Sequence, residues 1–331
     1  MKFWPLIKII PIKTNFKFVR YAKPFGILSA LLVVGSLFLT IYPATPPCGG
    51  LNCGVDFKGG NLLELSTEPR PVDLETARAA LSDLGLGDVQ VQNYGSPSDP
   101  GGRYHAMVRF ETPPGQNGQQ TLNRVRAELD EALGGDVQFT RTEVVGPKVS
   151  GELFTGGIIA LAVAIGLMMV YIWFRFEWQF GLGAVIGLFH DVILVFGLFA
   201  VFKLEFTLTA VAAVLTVIGY SMNDTVVVFD RLRENLRKYK KMPLRDVIDL
   251  SINETLSRTI ITGVTTIMAL GALALLGGEP LFAFSVSLMF GIIAGTYSSI
   301  YVGAPVILFW GVKRGEDDPE PVKLGPASRA S

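Results

Sequence analysis

Asp224 sits in the stretch SMNDTVVVFDR, residues 221–231, at the far end of an apolar run that begins near Phe206. A carboxylate placed in hydrocarbon costs on the order of several kcal/mol unless it is paired, hydrated or protonated. Arg258, at the start of a later apolar run, is the candidate partner, because the two residues flank one short excursion out of the membrane and could meet at similar depth. Burial and a nearby guanidinium pull a carboxyl's hold on its proton in opposite senses, so small movements of Arg258 could load or release a proton. The alternative is a static clamp between helices, with Asn223 and Tyr220 adding hydrogen bonds. His190 and Asp191 form a second pair inside another apolar run, either joining helices or extending a proton path.

Other chemistries lack their residues. There is no G-x-x-x-x-G-K-[ST] for a nucleotide, no H-E-x-x-H and no G-x-S-x-G, so neither an enzyme nor a cofactor is expected. The His190–Asp191 dipeptide resembles part of a metal-dependent phosphohydrolase site, but the chain has 2 histidines, the other being His105, which is too few for a metal centre. The 29 bases balance 29 acids, which gives no reason to expect a nucleic-acid partner. Cys48 and Cys53, in PPCGGLNC, are the only cysteines. A disulfide between them and a pair of free thiols are both open.

The elements that must hold these groups are membrane helices. Half of the 331 residues are hydrophobic and 18% are charged. Apolar runs predict six spans, near 25–42, 153–174, 180–202, 206–229, 259–276 and 281–310. Lys2, Lys8, Lys13, Lys17, Arg20 and Lys23 precede the first, and Arg231 to Arg245 follow the fourth. Six spans put both basic blocks on one side, which the positive-inside rule makes the cytoplasm, with both termini there. The first span reads as an uncleaved anchor rather than a signal peptide. The basic segment 230–256 contains a stretch, Leu232 to Leu250, that reads either as an amphipathic segment lying on anionic lipid or as a solvated loop.

Residues 43–150 then form one outer region, between the basic start at 1–24 with the first span and the remaining spans in 151–310; a tail, 311–331, follows. Within it, alternation and helical spacing predict strand 61–67, helix 73–84, strand 89–93, strand 104–111, helix 118–133 and strand 136–145. That order, β-α-β-β-α-β, is the split βαβ arrangement of ferredoxin-like domains. The fold class is therefore a polytopic α-helical membrane protein with one inserted α+β ferredoxin-like domain on the periplasmic side.

Several motifs together resemble the SecD/SecF family of bacterial protein export, on its SecF side. They are GVDFKGG at 54–60, VGPKVSGEL at 145–153, LFHDV at 188–192, VIGYSMNDTVVVFDRLRENLRK at 217–238, ETLSRTIITG at 254–263 and GTYSSIYV at 295–302. The cysteine pair lies outside this pattern. The resemblance implies an inner-membrane subunit that works with SecD beside the SecYEG channel, possibly with YajC, and acts on an unfolded preprotein within membrane lipid. It further implies that proton flow through Asp224 and Arg258 drives movement of the outer domain. Asp56, Phe57, Gly59 and Gly60 of the first motif, and Gly146 and Pro147 of the second, would be coupling residues, with the 145–153 link carrying movement outward. Two other classes remain open: half of a proton-driven exporter for a small molecule or lipid, and a passive scaffold of the export channel.

Overall fold

The computed structural model describes residues 14–44, 47–86, 89–93, 104–113, 116–277 and 279–312. The basic residues before 14 and the tail after 312 lie outside them.

The chain opens with α1 (Phe18–Ile41), crosses to the short strand β1 (Asn52–Cys53) and makes one helical turn, α2 (Val55–Lys58). Gly59 and Gly60 follow with φ of 76° and 109°, a backbone that L side chains rarely adopt, and so turn the chain into β2 (Gly60–Ser66). Next come α3 (Leu74–Ser82), β3 (Val89–Asn93), β4 (His105–Phe110), α4 (Gly118–Leu133) and β5 (Gln138–Val145). Asp73 caps α3 by accepting from the Glu75 and Thr76 amides, and Asn117 caps α4 through the Gln119 amide. The four strands form an antiparallel sheet in the order β3-β4-β2-β5, the ferredoxin-like order expected from the element pattern.

This domain's core explains its sequence pattern. Leu63, Leu65, Val108 and Phe110 pack with Leu81, Leu122, Val125 and Leu129 from the helices. On a separate patch, Leu62 and Met107 meet Val55 of α2. Strand β2 is consequently buried along nearly its whole length, unlike a strand with one wet face.

The membrane part contains α5 (Pro147–Arg175), α6 (Trp178–Phe202), α7 (Leu208–Lys238), α8 (Leu244–Leu276) and a last span built from α9 (Glu279–Ser298), a π-helical turn at Ser299–Gly303 and α10 (Ala304–Trp310). With α1 these make six helices long and apolar enough to span a bilayer. In α6 and α7 61% and 56% of the apolar window is buried, against 6% in α1 and in α5, so α6 and α7 form the centre and α1 and α5 the periphery. Outside the membrane, β1 pairs in parallel with β6 (Glu205–Phe206), the link between α6 and α7.

One expectation is corrected. The segment 232–250 is neither a separate surface helix nor a loop. Helices α7 and α8 extend through it and turn at 239–243, and Leu232, Leu236, Val247 and Ile248 are buried in the bundle core. Two polar side chains join the helices here: Arg231 Nε donates to Glu254 at 2.7 Å, and Asn235 donates to Glu254 at 2.7 Å and to Ser251 at 3.1 Å, while Arg237, Lys238, Lys241 and Arg245 stay exposed. Burial of the four apolar side chains and the Arg231–Asn235–Glu254 contacts hold both helices straight through the segment.

Candidate functional site

Asp191 lies near the middle of α6 and is 1% exposed. Its Oδ1 faces His190 Nδ1 at 2.8 Å, and its Oδ2 accepts from Ser221 Oγ of α7 and from Ser298 Oγ of α9, the latter at 2.8 Å. Three helices thus meet on one carboxyl group. Close approach makes this reachable. A Cβ added to Gly295 would fall 2.9 Å from Ser221 Cβ, and one added to Gly291 2.3 Å from Val217 Cγ2, so only glycine lets α9 settle against α7 here. The polar belt continues inward with Thr225 Oγ1 and Ser299 Oγ 2.9 Å apart, at the start of the π-helical turn. Local π geometry of this kind frequently accompanies functional sites.

On the other flank, the His190 ring stacks on Tyr297 with centroids 6.0 Å apart, while its Nε2 is buried without a hydrogen-bond partner. Tyr297 donates to the Phe25 carbonyl at 2.7 Å and shares a 2.9 Å hydrogen bond with Ser29 Oγ, which extends the belt to α1.

Asp224 stands one turn beyond Ser221 on α7, 4% exposed, and its Oδ2 has no hydrogen-bond partner. Arg258 is near enough to act on it through space, yet it is exposed on α8 and no ion pair joins the two. Nor do the expected helpers reach it. Asn223 is exposed about 100° round the helix from Asp224, and the Tyr220 hydroxyl is buried but unpartnered. A static Asp224–Arg258 clamp trimmed by Asn223 and Tyr220 is therefore not the arrangement of this structure. A buried carboxyl with a bare oxygen needs a proton, a water or an approaching cation to complete it.

The outer end of α7 is anchored by the first motif. Asp56 Oδ2 accepts the Leu208 amide at 2.9 Å, placing a carboxylate at the positive end of the helix that carries Asp224. Phe57, 4% exposed, sits 5.7 Å from the rings of both Phe154 on α5 and Phe206 on β6. Arg109 of the outer sheet forms an ion pair with Glu205 on β6. Burial pushes the Glu205 carboxyl above its ordinary value, with Arg109 opposing the shift. Gly146 precedes α5 and Pro147 takes its first turn, where the missing amide is harmless. Cys48 and Cys53 are joined as a disulfide with Cα atoms 6.3 Å apart, beside the β1–β6 pair.

Sequence reading found both acids and the histidine but passed over Ser221, Thr225, Ser298 and Ser299. Their signal lay in spacing: Ser221, Asp224 and Thr225 share a helix face, as do Gly295, Ser298 and Ser299.

Comparison with known proteins bears on what this arrangement serves. Residues 125–313 match the model of the family described as protein export membrane protein SecD/SecF, C-terminal. The chain is 45% identical over 324 residues to the protein translocase subunit SecF of Rhodobacter capsulatus, covering 95% of each. Among solved structures, the SecDF of Thermus thermophilus, a translocon-associated membrane protein, superposes with a TM-score of 0.77 at 32% identity. A structure of SecDF in a super-membrane-facing form gives a TM-score of 0.62 at 33% identity. The alignment takes in 92% of this chain but only 40% of either SecDF chain.

Proposed function

The chain belongs to the SecD/SecF family of protein-export membrane proteins, and from that premise we propose that it is a proton-driven subunit that pairs with a SecD partner and helps draw preproteins across the bacterial inner membrane. As a SecF-type translocase subunit it is a transport protein and not an enzyme. Its place in the membrane follows the charge bias of the sequence, with the basic ends of α5 and α7 inside and the ferredoxin-like domain outside.

The observation that carries this reading is the bare Oδ2 of Asp224, buried beside a belt of hydrogen-bonded hydroxyls. Protonation would complete that oxygen, and loss of the proton would demand a cation, which a swing of Arg258 can supply. A proton crossing 100 mV releases about 2.3 kcal/mol, enough over a few protons to drive a domain movement. The partner half would cover the side of α7 that presents Ala212, Thr216, Gly219 and Asn223 together with Arg258, all exposed in the single chain. Small and polar residues at membrane depth favour such helix packing.

The route outward runs through α7. Asp56 holds its outer end and Arg109 ties the adjoining link to the outer sheet, which gives a second path beside the 145–153 connection expected from the motifs. The two SecDF structures differ in TM-score to this chain at nearly equal identity, which supports more than one arrangement of parts among SecDF proteins. An open preprotein-binding role for the outer domain, with SecYEG as neighbour, belongs to the same proposal.

Export of a secretory protein, assayed with and without a proton gradient in vesicles whose only copy is Asp224→Asn, tests it. The gradient-dependent component is expected to vanish while the complex still assembles. Undiminished gradient-dependent export would sink the reading in favour of a passive scaffold.

A further inference from the structure

At the basic end of the bundle, Arg175, Asp230, Arg233, Glu234, Arg237 and Lys238 line an open cleft of about 500 Å³. Its acids are already committed. Both carboxylate oxygens of Asp230 accept from Arg175, and Glu234 accepts from Arg231 at 2.6 Å. Arg233 has a distant partner, Glu177 at 3.8 Å, and its buried Nε lacks an acceptor. Among the described residues no acid pairs with Arg237 or Lys238. The cleft therefore keeps surplus positive charge and an unsatisfied donor after every internal pairing has been made.

The same corner carries large exposed aromatics. Trp173, Phe174 and Trp178 border the turn from α5 to α6 and are 77%, 85% and 60% exposed. Tryptophan at the end of a membrane helix sits at headgroup level, with its apolar body toward the acyl chains. A ligand fitting both features has an anionic oxygen-rich head and apolar chains.

We propose that this cleft binds the headgroup of one anionic phospholipid, with Arg233, Arg237 and Lys238 on the phosphate and the Trp173–Trp178 rim against the chains. A guanidinium offers paired donors to phosphate, and the lysine adds a point charge. Arg175 stays with Asp230 and fixes the wall of the site. The inference does not depend on proton coupling, since it concerns only the basic end of the bundle.

Native mass spectrometry of the full-length chain in detergent, titrated with phosphatidylglycerol or cardiolipin against phosphatidylethanolamine, tests it. The two anionic lipids should bind preferentially, and Arg237→Gln combined with Lys238→Gln should weaken them about thirtyfold, which corresponds to about 1 kcal/mol per basic residue. Lys241→Gln with Arg245→Gln, an equal loss of charge on the neighbouring turn, should leave binding within about threefold. Equal binding of phosphatidylethanolamine, an unaffected cleft variant, or an equal fall in the control pair would overturn the proposal. So would displacement of the lipid by an equal concentration of soluble glycerol phosphate, which would mark a phosphate site instead, or binding of an acidic peptide in preference to either lipid.

Discussion

Asp191 and Asp224 are the same residue type, on neighbouring helices, at 1% and 4% exposure, yet their surroundings differ in kind. Asp191 has both oxygens engaged, by the histidine beside it and by serines of two other helices, whereas one oxygen of Asp224 has no hydrogen-bond partner in the protein. Burial alone therefore does not mark an acid as a working group. A buried carboxyl with filled valences holds helices together, and one with an empty place is free to exchange what fills it.

The contrast can be broken most severely at Asp191. Asp191→Ala strips the acceptor from Ser221, Ser298 and His190 and should lower stability by roughly 3 kcal/mol, read as a large drop in thermal midpoint in detergent. Asp224→Asn breaks no hydrogen bond and should cost less than about 1 kcal/mol while it removes gradient-dependent export. Equal destabilisation by the two changes would erase the distinction. Adding Ser221→Ala and Ser298→Ala to Asp191→Ala should recover part of the loss, because hydroxyls without an acceptor are removed with it.

A milder test acts on the packing that brings the three helices to Asp191. Gly295→Ala puts a methyl 2.9 Å from Ser221 Cβ, so α7 and α9 must part slightly. A cost of roughly 1–3 kcal/mol is expected, with the serine hydrogen bonds weakened in step. No change in midpoint would mean that the helices yield freely there.

The smallest effect lies at the outer end and depends on pH. The Glu205 carboxyl is raised above its ordinary value of 4.5, chiefly by burial against the pull of Arg109, so the docked state holds its proton more tightly than the separated one. Docking is therefore favoured below that ordinary value and loses this contribution as pH rises through the raised one. Glu205→Gln should flatten this dependence in a thermal scan across mildly acidic pH. A steeper slope in the variant would contradict the sign.

Much of the architecture was legible because it follows period and hydropathy. The strand 89–93 and the helix 118–133 begin and end where alternation and caps place them. The spans 206–229 and 259–276 stopped short because hydropathy falls at the charged residues, while the helices persist through packing of Leu232 and Leu236 and through the Arg231–Glu254 pair. Site acids stood out as charges in apolar runs. The serines did not, because a hydroxyl in a membrane helix usually bonds back to its own backbone, as Thr216 does to Ala212 and Thr265 to Ile261. Ser221 instead reaches across, which depends on Gly295 one helix away, and Ser298 reaches Asp191 while also lying 3.1 Å from the Gly295 carbonyl of its own helix. The Arg109–Glu205 pair, 96 residues apart in the chain, had no local signal at all.

The hydrogen bond from Asp56 to the start of α7 also turns that helix into a lever. Its 31 residues make a rod about 46 Å long, and Asp224 lies about 24 Å from the end held by Asp56. A tilt of about 5° pivoting at Asp224 would swing that end by about 2 Å, enough to part a 2.9 Å contact. A displacement too small to disturb the fulcrum is thus large enough to unlatch the outer domain.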